Sequence, residues 1–316
     1  MLKQPFVQKL ESAHTVLLAG MGGGFDVYCA LPLYHALVKA GKQVHLANLS
    51  FTALGMTGAR EIHPTLFEVT RRTPAELRYF PEVYLSQFLH LQGFNSSVFA
   101  FEKRGYRQLQ DGYQYLVDAL NVDTVVLVDG GTDSLMRGDE DGLGTPEEDA
   151  ISLAAVWDLE NVKQKLLACI GFGIDAFHGV CHAHFLESVA ALTRSGHSLG
   201  TFSLQVGSPE VDFYQQAVEF AHGHMRDRIS IVNSSVLGGI RGDYGDQHYT
   251  ERTQGSELMI NPLMGLYWTF DLAGVAERNL YLDRLLTTES MTDVWTAIER
   301  FRNRLPEIRA WKSLPF

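Results

Sequence analysis

The sequence predicts a three-layer α/β fold with a mainly parallel sheet, on three observations. Short apolar runs such as Thr15–Ala19 and Thr124–Val128 have the length and β-branched content of buried strands. Segments with apolar residues at helical spacing separate them. The resulting strand–helix–strand rhythm implies right-handed crossovers, which lay helices on both faces of a parallel sheet.

Taken in order, Thr15–Ala19 (TVLLA) closes in glycines, and Phe25–Ala40 then reads as a helix that stops at Gly41, a C′ glycine. Val44–Leu49 follows as a second strand. Val98–Phe101, Thr124–Val128 and Leu166–Ile170 are further buried strands, while Leu199–Leu204 and Ile229–Val232 carry weaker signals. Helices are expected over Tyr106–Leu120, Glu147–Trp157, Cys181–Arg194 and Glu210–Ala221. Two segments break the rhythm. Ser50–Asn95, with Pro64, Pro74 and Pro81, reads as an insertion of one or two helices. Residues 258–312 read as a helical C-terminal extension, in which Tyr267, Trp268 and Phe270 are core packing of a helix. With no repeat and no Pro/Ser-rich linker, residues 1–316 are expected to form one α/β domain with these additions.

Composition narrows the function classes. Apolar residues make up 46% of the chain, enough to offset the entropy of ordering, so disorder is excluded. Twenty-six Lys+Arg against 37 Asp+Glu give a net charge of −11, without a basic stripe, and nucleic acid is not an expected partner. No apolar stretch approaches the roughly 20 residues that span a bilayer, and the polar, amphipathic start, Met1–His14, does not read as a signal peptide. Cys29, Cys169 and Cys181 are too few and too scattered for a disulfide framework, so the cytoplasm is the expected compartment.

Four stretches carry the chemistry. Gly20-Met-Gly22-Gly23-Gly24-Phe-Asp26 stands where the first strand hands over to a helix. Glycines there admit a ligand to the backbone, and helix N–H groups favour an anion. The dinucleotide fingerprint fails, because Phe25 or Val27 falls at its third glycine and no acid ends the second strand. Gly22, Gly23, Gly24 and Asp26 are thus either a ligand-facing loop or a tight turn with Asp26 as helix cap.

Val125-Val-Leu-Val128 runs directly into Asp129-Gly130-Gly131-Thr132-Asp133-Ser134. The carboxyl ends of parallel strands line the ligand crevice, so Asp129 has a functional address. Asp129 and Asp133 suit Mg²⁺ or Ca²⁺, or the hydroxyls of a sugar, beside Gly130, Gly131, Thr132 and Ser134. The acids Asp139–Asp141 and Glu147–Asp149 are assigned to surface loop and helix first turn.

Gly171-Phe-Gly173-Ile-Asp175 leads to His178 and His182. A helix starting at Asp175 would set these three on one face, with His178 as general acid or base oriented by Asp175. Histidines four apart also suit zinc, more weakly, since no His-Glu-x-x-His is present. Finally, Asn233 and Arg241 bound a glycine-rich stretch expected as a mobile loop, with Arg241 as a clamp for phosphate or carboxylate.

Together Gly22-Gly-Gly24-Phe-Asp26, Tyr79-Phe-Pro-Glu82, Asp129–Ser134, Leu143-Gly-Thr-Pro-Glu-Glu-Asp149 and Gly171–Asp175 resemble a family of prokaryotic proteins, the domain of unknown function 1152. The resemblance implies a Rossmann-like α/β fold and names no reaction. On the residues themselves, the expectation is a hydrolase or group transferase acting on a nucleotide, nucleoside or phosphorylated sugar. Asp129, Asp133, Asp175 and His178 would be its catalytic groups, with Mg²⁺ or Ca²⁺ as the expected cofactor. An NAD-dependent enzyme with a nonstandard loop and a noncatalytic ligand sensor are the rival readings. Self-association into homo-oligomers stays open.

Overall fold

The computed structural model describes residues 4–256 and 258–314. Of the amphipathic start, Met1–Lys3 therefore lie outside the described residues. The strands are β1 (Thr15–Gly20), β2 (Gln43–Leu49), β3 (Arg60–His63), β4 (Leu66–Val69), β5 (Val98–Phe101), β6 (Thr124–Asp129), β7 (Gln164–Cys169), β8 (Ser198–Ser203), β9 (Gly245–Asp246), β10 (Met259–Ile260) and β11 (Leu266–Asp271). The helices are α1 (Pro5–Ser12), α2 (Asp26–Cys29), α3 (Leu31–Lys39), α4 (Pro81–Leu91), α5 (Tyr106–Leu120), α6 (Pro146–Trp157), α7 (His182–Arg194), α8 (Pro209–His224), α9 (Ile231–Arg241), α10 (Leu272–Arg278) and α11 (Met291–Arg302).

Nine strands form one sheet in the order β3-β4-β5-β2-β1-β6-β7-β11-β8, and β9 pairs with β10 separately. The central strands β5, β2, β1, β6 and β7 run parallel to one another, while β4 and β11 flank them antiparallel. The chain runs outward from β1 through β2 to β5, then returns to start again at β6 on the other side of β1. That reversal opens a crevice between the carboxyl ends of β1 and β6, the usual ligand position in such sheets.

Both faces of the central strands are buried, and alternate residues feed two cores. Val16, Leu18, Val126 and Val128 pack with residues of α1, α3, α4 and α8. Leu17, Ala19, Val125 and Leu127 pack with residues of α5, α6, α10 and α11. This two-sided burial is why these strands are continuously apolar instead of alternating. The fold is a Rossmann-like α/β fold, as the family resemblance implies, with the mainly parallel, doubly covered sheet that the strand–helix rhythm predicts.

Three departures from the sequence reading have local causes. The insertion after β2 carries α4 but also the antiparallel hairpin β3–β4, turned at Pro64 and Thr65, whose φ of 65° is left-handed. The extension after residue 258 is not helical throughout. Leu266–Asp271 is β11, wedged antiparallel between β7 and β8. Its aromatic and β-branched content favours the pleated sheet, and Tyr267, Thr269 and Phe270 are buried in it. Ile229–Val232, expected as a strand, instead opens α9, because the Ser230 hydroxyl accepts from Asn233 N and caps a helix start.

Candidate active site

At the crevice the loops after β1, β6 and β7 meet the first turn of α6. The cleft they form has a volume of about 380 Å³. Asp26, Asp129, Asp133, Asp149 and Asp175 all line it, together with Glu148 and His178.

Asp129 ends β6 and is 2% exposed. Its Oδ2 accepts from the Ser134 hydroxyl and, at 3.3 Å, from Ser134 N. Asp133 opens a helical turn, and its Oδ2 accepts from Thr145 N at 2.8 Å and Thr145 Oγ1 at 3.1 Å. Asp175 Oδ2 accepts from Thr132 N at 2.6 Å. Asp26 Oδ2 accepts from Gly22 N at 2.7 Å, which ties the glycine turn to the start of α2. Asp149 Oδ1, in the first turn of α6, is buried without a hydrogen-bond partner.

The glycines between these acids are there to make room for them. A Cβ on Gly131 would stand 2.9 Å from Asp175 Oδ2 and 3.0 Å from the Oδ1 atoms of both Asp129 and Asp133. One on Gly22 would meet Asp26 Oδ2 at 2.7 Å and Asp149 Oδ1 at 2.8 Å. Side chains at either position would fill the space on which the carboxylates converge.

No arginine or lysine forms an ion pair with any of the five aspartates among the described residues; Lys103, which also lines the cleft, pairs with Glu148 Oε1 at 2.5 Å. The carboxyls of Asp26, Asp129, Asp149 and Asp175 are accordingly held above the usual range. Burial is the main cause at Asp129, Asp149 and Asp175, and the Asp133 charge adds to it at each. Burial pushes Asp26 up to about 7, although the hydrogen bond from Gly22 works against the rise.

Asp26, Asp129 and Asp149 each offer a carboxylate oxygen, and these atoms lie within 4.8 Å of one another. Three converging hard oxygens suit Mg²⁺, Mn²⁺ or Ca²⁺ better than zinc. A cation there would replace the protons that the crowded carboxyls otherwise hold.

The expected residues fall into three groups. Gly22, Gly23, Gly24, Asp26, Asp129, Gly130, Asp133, Asp175 and His178 are brought together in the cleft. Thr132 and Ser134 stand behind it, with their hydroxyls hydrogen-bonded to Asp175 and Asp129. Asn233 and Arg241 lie elsewhere. Asn233 is fully buried on α9, where Tyr214 and Ser230 satisfy it. Arg241 ends α9 beside Asp243 at 3.5 Å. The stretch between them is helix, not a mobile loop.

Asp175, His178 and His182 do not share a helix face. Gly179, with a φ of 89°, breaks the chain after a short helical turn, and α7 begins at His182. Asp175 turns its carboxylate to Thr132, so His178 reaches the cleft mouth without Asp175 to orient it. Burial lowers the His178 proton affinity below the ordinary value, which keeps the ring neutral near pH 7.

The acids assigned to the surface need correction. Asp139, Glu140, Glu148 and Asp149 are all buried. Asp149 is a cleft residue that sequence reasoning passed over, since an acid after Pro146 looks like an ordinary helix start. Glu82 was passed over too. It meets Asn48 Nδ2 at 2.8 Å, and the same amide donates to Gly24 O at 2.8 Å, linking α4 through the end of β2 to the glycine turn.

Fold and site together define a Rossmann-like α/β protein with an acidic cleft at its topological switch point. The chain belongs to the family described as a protein of unknown function, DUF1152, whose model matches residues 17–304. Curated proteins and solved structures give no match. No helix among the described residues is long and apolar enough to cross a membrane.

Proposed function

We propose that the protein is a hydrolase or group transferase acting on a small polar metabolite, with a divalent cation held by Asp26, Asp129 and Asp149. The observation that carries this reading is the convergence of those carboxylates within 4.8 Å, in a cleft whose aspartates have no basic partner. Left without a cation, such a cluster is costly to bury. A bound cation supplies charge stabilisation to an oxygen of the substrate.

The chain's own residues have separable tasks. Ser134 orients Asp129, and Thr132 orients Asp175, by hydrogen bonds to single carboxylate oxygens. Asp133, fixed by Thr145, raises the proton affinity of its neighbours. His178, neutral at the mouth, accepts a proton from an incoming hydroxyl or water. A nicotinamide dinucleotide has less support, because Phe51 and Tyr79 pack over the glycine turn: a Cβ on Gly23 would lie 2.6 Å from the Phe51 ring. The three cysteines, all buried and unbridged, fit a cytoplasmic setting.

The test is titration of metal-stripped protein with Mg²⁺, Mn²⁺ and Ca²⁺, followed by turnover on nucleotides, nucleosides and sugar phosphates. A cation that binds this site raises Tm and supports turnover, and Asp129→Asn loses both while staying folded. Indifference to all three cations would overturn the proposal. Cation binding without turnover would favour a ligand sensor.

A further inference from the structure

The same cleft also carries positive charge. Arg228 and Arg252 both line it, and both are exposed, so they stand at its mouth, while Asp129, Asp133, Asp149 and Asp175 are buried and Asp26 is half-buried. Their charges are not spoken for. Asp227, the acid next to Arg228 in the chain, pairs with Arg78 at 2.6 Å. Arg228 has no side-chain hydrogen bond or ion pair among the described residues, and Arg252 uses one nitrogen on the backbone carbonyl of Ile229. Lys103, the remaining cation of the lining, is committed to Glu148 and lies 4.7 Å from the centre of the Phe51 ring.

The two guanidinium groups act on each other. Burial is the first cause that lowers the proton affinity of Arg252, and the Arg228 charge adds to it. Two like charges held at one cleft, neither in an ion pair among the described residues, are a cost that an anion removes. Ser230, Ile231 and Val232, the cap and first residues of α9, line the cleft beside them. That helix has 11 residues, and its positive end adds to the same potential. Planar forks and a helix start together suit the tetrahedral oxygens of a phosphate.

We infer that Arg228 and Arg252 bind a phosphate group of the substrate, which narrows the substrate class to phosphorylated metabolites and leaves out free nucleosides and sugars. The inference rests on the proposed function only in placing the substrate in this cleft. The phosphate lies at the arginine mouth, and the rest of the molecule extends over Gly22–Gly24 toward the buried carboxylates.

The experiment compares inorganic phosphate, ribose 5-phosphate and ribose as ligands of the full chain, with and without Mn²⁺, by thermal shift and calorimetry. Both phosphates are expected to bind and ribose is not. Arg228→Gln, which breaks no side-chain hydrogen bond or ion pair among the described residues, weakens phosphate binding by at least about tenfold and leaves Mn²⁺ affinity unchanged. Arg252→Gln does the same, with circular dichroism to check that the lost Ile229 contact has not unfolded the loop. Arg241→Gln, at the other end of α9, binds like the parent. Absence of phosphate binding, or undiminished binding in Arg228→Gln, overturns the inference. Phosphate binding that survives with no Mn²⁺ binding overturns the carboxylate reading instead, and leaves the arginines standing.

Discussion

Residues 129–149 contain two buried acidic groups that the protein treats in opposite ways. Asp139 and Glu140 are met by Arg309, whose Nε lies 2.8 Å from Asp139 and whose Nη2 lies 2.7 Å from Glu140. Arg137 donates to Asp139 as well, and Arg302 holds the backbone carbonyls of Gly138 and Glu140. Burial acts to raise the Asp139 carboxyl, but the hydrogen bonds and charges of Arg137 and Arg309 outweigh it and hold the group below its usual range. Asp129 and Asp149, about ten residues away on either side, receive no such cation among the described residues and are pushed up. One group is closed by the protein itself. The other is left for something that binds, and this difference separates a staple from a site more reliably than acid content does.

The comparison can be broken most forcefully at Arg309. Arg309→Ala strands the fully buried Glu140 and is expected to cost about 3 kcal/mol of stability, read as a lowered denaturant midpoint. If stability is unchanged, the paired group is not the staple described. Asp129→Asn acts in the reverse sense. It lowers turnover by more than about a hundredfold yet leaves the metal-free fold as stable as the parent or more so, because it removes a carboxyl whose ionisation burial and the neighbouring acids oppose. A large loss of stability in that variant would make the cleft structural.

A pH series sharpens the same contrast. A carboxyl that binds its proton more tightly in the folded state favours folding at low pH and loses that advantage as the pH rises through its folded value. Asp26, pushed up to about 7, and Glu82, raised by burial to about 6, are such groups. Metal-free protein is therefore expected to lose stability between about pH 4 and pH 7, on the order of 2 kcal/mol from Glu82 alone. Glu82→Gln should flatten that part of the fall, and a saturating divalent cation should flatten the part due to Asp26. Asp139 works the other way, since its stabilisation is lost as the pH falls through its lowered value. The smallest effect is expected at Ser134→Ala. With one of its two Ser134 bonds to Oδ2 kept, Asp129 stays in place, cation affinity drops about tenfold and stability changes by about 1 kcal/mol or less.

Much of this was legible because it was local. The buried strands announced themselves through unbroken apolar runs, and Tyr106–Leu120 through its periodicity, with bounds that match α5. Asp129 was legible because a strand ending in an acid and two glycines has few structural uses. What escaped depended on partners distant in the chain. Nothing near Asp149 signals Gly22, and nothing near Glu140 signals Arg309. The run Leu266–Asp271 acquires its strand identity from β7 and β8 on either side. Asn233 and Arg241 were misplaced for a simpler reason: glycines at Gly238 and Gly239 suggested a loop, while the contacts they permit are helix packing, against Tyr249 and Asn261.

The position of β11 also bears on how the chain can be made. β8 joins the sheet only through β11, which follows it by more than sixty residues of sequence. During synthesis β8 lacks its native neighbour until residue 271 has left the ribosome, and β7 meanwhile presents an open edge. The first helix waits as well, since Gln4 donates to Thr201 O at 3.2 Å and Lys9 pairs with Asp271 at 3.3 Å. The α1 segment is thus secured by residues made about 200 and 260 positions later, which delays completion of the sheet and leaves an unpaired strand edge exposed while translation continues.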